Sequence, residues 1–353
     1  MNDSKYAIAF LVVILIALTI SYFAFIPKTE PEKENAHDAI YNNSSMYLEP
    51  IDIPGHFGIT SNYSTSDFDP YAYLKTWNFN NLPPEERKKY YLESKLSDNT
   101  TLREYWIYAS DKKIEVAPGV FFDAWAYNGQ VPAPTIRTTE GDRIKIYFTN
   151  QGSKPHTLHF HGYHESSMDG SMPHDFVNPG ENFTYEFTAE PAGVHLFHCH
   201  STPLKDHIAK GLYGMFIVDP KDQREPANEL IMIMNAFDTN YDGENEIYAV
   251  NTRAFYYLNH PIKVKKGELV RIYIGNMVEN DPINSIHIHG NFFEEYRTGT
   301  RNESNAFTDI IELGQGERSM LEMRFPYTGK YMFHAHQSEF ADKGWMSMFE
   351  VVE

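Results

Sequence analysis

The sequence predicts an all-β protein of two similar sandwich domains, and three observations carry the prediction. Arg143–Asn150 (RIKIYFTN) and Leu269–Asn276 (LVRIYIGN) alternate in polarity, each after a Gly-Asp or Gly-Glu turn. These strands open an internal repeat. His156-Thr-Leu-His159-Phe-His161-Gly162 has a counterpart in Asn284-Ser-Ile-His287-Ile-His289-Gly290, and Gly193-Val-His-Leu-Phe-His198-Cys199-His200 in Gly329-Lys-Tyr-Met-Phe-His334-Ala335-His336. Each copy closes on a further apolar stretch, residues 211–218 or 344–351. Two copies of roughly 120 residues, strand and turn throughout, read as two β-sandwiches.

Element by element, the chain begins with Tyr6–Ile26, 21 uncharged and mostly apolar residues between Lys5 and Pro27-Lys28. About 20 residues of helix cross a bilayer, and no Ala-x-Ala-like cleavage site follows Ser21. Residues 1–27 are therefore expected to form an N-terminal transmembrane helix that remains as a signal-anchor. With Lys5 on the cytoplasmic side, the rest of a single-pass protein of the cell membrane lies on the extracytoplasmic side. Asn-x-Ser/Thr triplets at Asn42, Asn43, Asn62, Asn99, Asn182 and Asn302 are compatible with that side. Residues 28–100 read as a linker and irregular extension, with one short helix starting at Pro83-Pro84 and running towards Ser97. Residues 101–220 and 228–353 form the two sandwiches, and Asp219–Pro226 links them.

The charge balance excludes one class of partner. Forty-eight acidic and 30 basic side chains give a net charge of −18, which argues against nucleic-acid backbones and concentrates cations near the surface. Cys199 is the only cysteine, so no intrachain disulfide forms and Cys-rich zinc modules are excluded. Sixteen histidines are the unusual number.

Eight of them fall in four His-x-His pairs, 159/161, 198/200, 287/289 and 334/336. On a strand, residues two apart share a face, so each pair presents two imidazoles side by side. Cys199 and His156 leave that face by the same parity. The residues thus sort into a pure imidazole cluster and a thiolate site, with His207 as the candidate second imidazole beside Cys199. Two His and one Cys with a weak axial neighbour describe a blue-copper electron-transfer centre.

The runs HTLHFHG and HCHSTPLKDHIAKGL resemble the copper signatures of multicopper oxidases, and the repeat covers about residues 101–353. The resemblance implies cupredoxin-like Greek-key domains, with His156, Cys199 and His207 holding a type-1 copper. It implies a type-2 copper on His159 and His287, and a type-3 pair on His161, His198, His200, His289, His334 and His336. The family's axial position falls at Leu212, with Met215 nearby on the next strand; a non-ligating Leu212 implies a relatively high potential. In the second copy Asn284, Ala335 and Phe340 stand where a blue site would need His, Cys and His. The resemblance is therefore to two-domain, laccase-like oxidases with type-1 copper in the first domain alone.

Such an oxidase takes single electrons from a small reductant (a phenol or a metal ion) or an electron-donor protein, expected to enter through an exposed edge of His207 or His156. It delivers them through Cys199, His198 and His200 to dioxygen, which is reduced to water. Asp169 matches the family's acidic residue behind the cluster, and Glu339 is a second candidate for proton supply. Copper nitrite reductases are the rival reading; that family carries an aspartate where this chain has His159, and no histidine directly after the cysteine. A non-catalytic copper carrier explains the blue site but not the four pairs. Because each domain owns half of the cluster ligands, the resemblance implies a homotrimer in which neighbouring chains complete each cluster.

Overall fold

The computed structural model describes residues 63–64, 68–76 and 84–353; the expected membrane helix lies outside them. Among the described residues, no helix is long and apolar enough to cross a membrane. The first domain contains β1 (Tyr91–Lys95), β2 (Thr101–Ala117), β3 (Val120–Tyr127), β4 (Ala133–Thr139), β5 (Arg143–Asn150), β6 (His159–Phe160), β7 (Asn182–Thr188), β8 (Gly193–His198) and β9 (Tyr213–Asp219). They form one sheet ordered β1-β2-β5-β7, with β3 on β2, and another ordered β4-β9-β8-β6.

The second domain follows with β10 (Asn228–Phe237), β11 (Ile247–Val250), β12 (Ile262–Lys265), β13 (Val270–Asn276), β14 (Ile283–Ile288), β15 (Phe293–Arg297), β16 (Ala306–Thr308), β17 (Ile310–Gly314), β18 (Arg318–Met323), β19 (Gly329–His334) and β20 (Met346–Val352). Its sheets run β11-β10-β13-β18-β15-β16 and β12-β20-β19-β14-β17. The sequence repeat is a repeat of topology: the parallel pairs β2/β5 and β4/β9 recur as β10/β13 and β12/β20. Five short α-helices are α1 (Pro70–Thr76), α2 (Pro84–Arg87), α3 (Leu204–Ala209), α4 (Tyr256–Asn259) and α5 (Ser338–Asp342), with 3-10 turns at Ser166–Met168 and Pro173–Asp175.

Two expectations for residues 28–100 need correction. The helix begun at Pro84 stops at Arg87, and the first sheet starts at Tyr91 rather than near 101. Strand β1 buries only Tyr91 of its five residues, so it lacks the alternation that marks a half-buried strand. The extension also docks: Tyr257 donates its hydroxyl to Pro70 O at 2.6 Å, and Tyr73 and Leu74 of α1 are fully buried.

Three apolar cores hold the molecule together. One lies within each domain, and the third joins Val194, Leu196, Met215 and Ile217 of the first to Ile231, Ile233, Tyr273 and Met320 of the second. Strand β8 is consequently buried on both faces along its whole length. The repeat partners β5 and β13 differ for the same reason. Strand β5 alternates between buried and more open positions, whereas every residue of β13 is buried because the other domain covers its outer face. At the seam Val194 N–H donates to Thr298 O at 2.7 Å, and Arg318 Nε donates to Val194 O at 3.1 Å. Gly193, at φ +153°, lies so close that a Cβ would sit 2.7 Å from Thr298 O, which excludes any side chain there.

Candidate metal centres

The thiolate site forms where β8 leaves the sheet. Cys199 is anchored by its N–H to Leu212 O at 2.9 Å, and Leu212 N–H returns to His207 O at 3.2 Å, tying α3 against the end of β8. Cys199 Sγ then lies 3.2 Å from His207 Nδ1 and 4.0 Å from His156 Nδ1, and the two nitrogens are 3.2 Å apart. Burial depresses the basicity of both rings, to about 3 for His156, with repulsion from His207 adding to it, and to about 4 for His207. Burial also pushes the Cys199 thiol up. Two neutral imidazoles and a sulfur thus turn their lone pairs on one point, a set suited to a borderline-soft cation such as copper.

Leu212 shares the first domain's core with Cys199, whereas Met215 belongs to the core between the domains. Alternation along the strand thus places the Met215 thioether on the other face. The expected exposed edge of His156 or His207 is not found: the residues are 0% and 3% exposed. Trp125 of β3 covers both rings, with centroids 5.2 and 4.8 Å away.

The paired histidines project from β6 and β8 on the other face. His159 pairs with His198 across these strands, and its ring lies 5.1 Å from those of His198 and His200 and 5.5 Å from that of His161. His159 Nδ1–H donates to Asp169 O at 2.9 Å, and His198 Nδ1–H donates to Cys199 O at 3.0 Å. Each bond fixes the tautomer and leaves Nε2 as a bare acceptor. His161 Nε2 and His198 Nε2 face each other at 3.2 Å, and burial first, then mutual repulsion, holds His161 to about 3. Two imidazole nitrogens held face to face in this way are a ready pair of ligands for a cation.

The second domain repeats this arrangement. His287 pairs with His334 across β14 and β19, with rings 5.7 Å apart, and His289 Nε2 faces His334 Nε2 at 2.9 Å. His287 Nδ1–H donates to Asp309 O at 3.0 Å, and His334 Nδ1–H to Ala335 O at 2.5 Å. His336 N–H donates to Ser285 Oγ at 2.8 Å, as His200 N–H does to Thr157 Oγ1 at 3.0 Å. The blue-site positions are filled otherwise: Asn284 and Ala335 are fully buried, and Phe340 stacks on Tyr248 at 4.1 Å.

Asp169 is brought to the cluster, its carboxylate 3.2 Å from His159 Nδ1 and 3.8 Å from His164 Nε2. Burial works to raise this carboxyl, but the Ser171 hydroxyl and the neighbouring histidines bring it below its usual range. Glu339 is not part of the centre; it is mostly exposed and pairs with Lys343 at 2.8 Å. Its α5 carboxylate is claimed by a lysine one turn on. The sequence reading missed Asp309, because it follows His289 by 20 residues whereas Asp169 follows His161 by eight. His164 and Trp125 had no motif to mark them.

Among the described residues, no ring contact joins a histidine of the first half-cluster to one of the second. His289 and His336 are exposed.

Comparison with known proteins agrees with this chemistry. Two multicopper oxidase family models match residues 109–223 and 224–353. A crystal structure of a multicopper oxidase is 50% identical, covering 80% of this chain and 97% of that one with a TM-score of 0.76. The blue copper oxidase of Nitrosomonas europaea is 29% identical, covering 70% and 85%, with a TM-score of 0.64. The copper-containing nitrite reductase of Neisseria meningitidis serogroup A is 27% identical over 64% of this chain and 63% of its own length. This chain therefore spans about three-fifths of that curated relative.

Proposed function

Because the chain belongs to the multicopper oxidase family, we propose that it takes single electrons from a reductant at a blue copper and reduces dioxygen to water at a trinuclear copper cluster. One observation favours dioxygen over nitrite. Position 159 is an imidazole in ring contact with His161, His198 and His200, where the nitrite reductase resemblance calls for an aspartate. Cys199 joins the two sites covalently, since its sulfur belongs to one and its peptide neighbours His198 and His200 to the other. His159 is oriented by Asp169 through both carbonyl and carboxylate, and this supports a role for that carboxylate in proton supply. The test is copper content with oxygen uptake: the family resemblance implies about four coppers per chain, with oxygen consumption. About two coppers, with nitrite turnover and no oxygen uptake, would establish the nitrite reductase reading instead.

The assembly proposed is a homotrimer. The half-cluster of β14 and β19 leaves His289 and His336 open, and β5 keeps a partly open outer face where its twin β13 is covered. A neighbour's first domain on that second-domain face repeats the contact already made within the chain. Such head-to-tail contacts close into a ring or grow without limit, and the family resemblance implies closure at three chains. Residues 1–27 are proposed to anchor the chain in the cell membrane with these domains on the extracytoplasmic side. Retention in membranes after a high-salt wash tests the anchor, and a mature N-terminus beyond residue 27 would refute it.

A further inference from the structure

A cavity of about 440 Å³ opens at the linker between the domains, lined among others by Arg137, Asp219, Lys221, Arg224, Glu229 and Arg271. Most of these charges are spent on one another. Arg137 donates to Asp219 at 2.7 Å and to Glu229 at 2.6 Å. Arg271 donates to Glu322 at 2.6 Å, Glu229 at 3.2 Å and Glu225 O at 2.9 Å. The Glu225 carboxylate, also in the wall, is paired with Arg324. Lys221 and Arg224 are left over: among the described residues, neither has a carboxylate partner. Arg224 Nη2 donates to Gly299 O at 2.8 Å, which fixes the guanidinium, while its Nη1 is buried with no hydrogen-bond partner among the described residues. A buried N–H without an acceptor is costly, and a guanidinium held in place offers its remaining donors in the plane that an oxyanion matches. On a chain of net charge −18, two unmatched cations at one cavity are a local exception to a field that repels anions.

We propose that this cavity binds a small phosphate-type oxyanion, free or as the monoester of a small alcohol. Arg224 Nη1 is its principal donor and the Lys221 ammonium its second cation. A space of this size is in the range of small-molecule sites, so it leaves room for an organic group beside the oxyanion. No candidate copper ligand lines it, and the assignment does not depend on the copper reading. The walls come from β4, the linker and β13. A ligand here therefore touches both domains, and binding only the folded arrangement stabilises it by mass action.

The experiment is calorimetric titration of the copper-loaded full chain with inorganic phosphate, glycerol phosphate and acetate at low ionic strength, with Tm followed in parallel. Phosphate is expected to bind about tenfold more tightly than acetate and to raise Tm with its concentration. Arg224→Gln should weaken phosphate about tenfold and Lys221→Gln about threefold, with bound copper and the absorption spectrum unchanged in both. Arg224→Lys, which keeps the charge but not the planar fork, should fall between Arg224→Gln and the parent chain. Tighter binding of glycerol phosphate assigns the site to an ester, and tighter binding of phosphate to the free ion. Absence of phosphate binding, or binding unchanged in Arg224→Gln, overturns the assignment. Should Arg224→Gln fail to fold, unchanged binding in Lys221→Gln overturns it.

Discussion

The hydroxyl of Thr157 accepts the backbone N–H of His200 at 3.0 Å. The same residue's N–H points at Cys199 Sγ from 3.3 Å, so Thr157 braces the strand end that carries both sites. Thr157→Val keeps the volume but strands a backbone N–H, which costs about 1–3 kcal/mol. Urea unfolding of the copper-free chain should show that loss, and Thr157→Ser should restore most of it. Equal stability of all three proteins would contradict the bracing role.

Cys199→Ser should remove the blue absorption, because thiolate-to-copper charge transfer needs the sulfur. It should lower bound copper by about one ion per chain and leave the imidazole cluster loaded. Metal analysis beside the visible spectrum checks both halves of the statement.

Asp169→Asn keeps the backbone carbonyl that holds His159 but removes the carboxylate charge 3.2 Å from its Nδ1. Losing such an outer partner typically costs about 10–100-fold in metal affinity or activity. Oxygen uptake should fall by that order while the blue band persists. Glu339→Gln, at a mostly exposed side chain paired with half-buried Lys343, should change uptake less than about twofold.

Acid should weaken the copper-free protein in a defined window. Burial first, with neighbouring charges, holds His156 and His161 down to about 3, and His195, His198 and His207 to about 4. Unfolded, these rings titrate near 6.5, so below that pH the unfolded chain binds more protons. Stability is therefore full above about pH 6.5 and falls as pH drops towards 4, by up to ~1.4 kcal/mol per pH unit for each ring. Thermal unfolding at pH 7, 6 and 5 should give a steadily falling Tm; a flat series would contradict the neutral, buried rings.

Mixing tests the shared cluster. A His161→Ala/His198→Ala chain and a His289→Ala/His334→Ala chain each spoil one half. If clusters form between chains, co-assembly recreates some interfaces with both halves intact and recovers part of the oxygen uptake. A mixture that stays inactive despite proven subunit exchange would place the cluster within one chain.

Much of the fold and site was legible because chemistry and period coincide in the same residues. His159 and His161 sit two apart at the end of one strand, and the repeat at 287 and 289 says so twice. What stayed hidden depends on contacts between distant segments. Strands β5 and β13 read alike, yet one is covered and the other partly open, a difference made by the other domain. Trp125 looks like any aromatic of an alternating strand until α3 folds His207 against it. Asp309 reaches His287 from the turn between β16 and β17, at a spacing that has no match in the first copy.

The close seam at Gly193 has a kinematic meaning. With Thr298 O nearer than a Cβ allows, and bonds running both ways through Val194, the domains have no hinge to swing on. A clamshell motion would have to tear open the apolar core between them. One chain therefore does not bring its own two half-clusters together by closing; if clusters form between chains, as proposed, they wait on an encounter of whole molecules. The rate at which active centres appear after dilution should then depend on protein concentration.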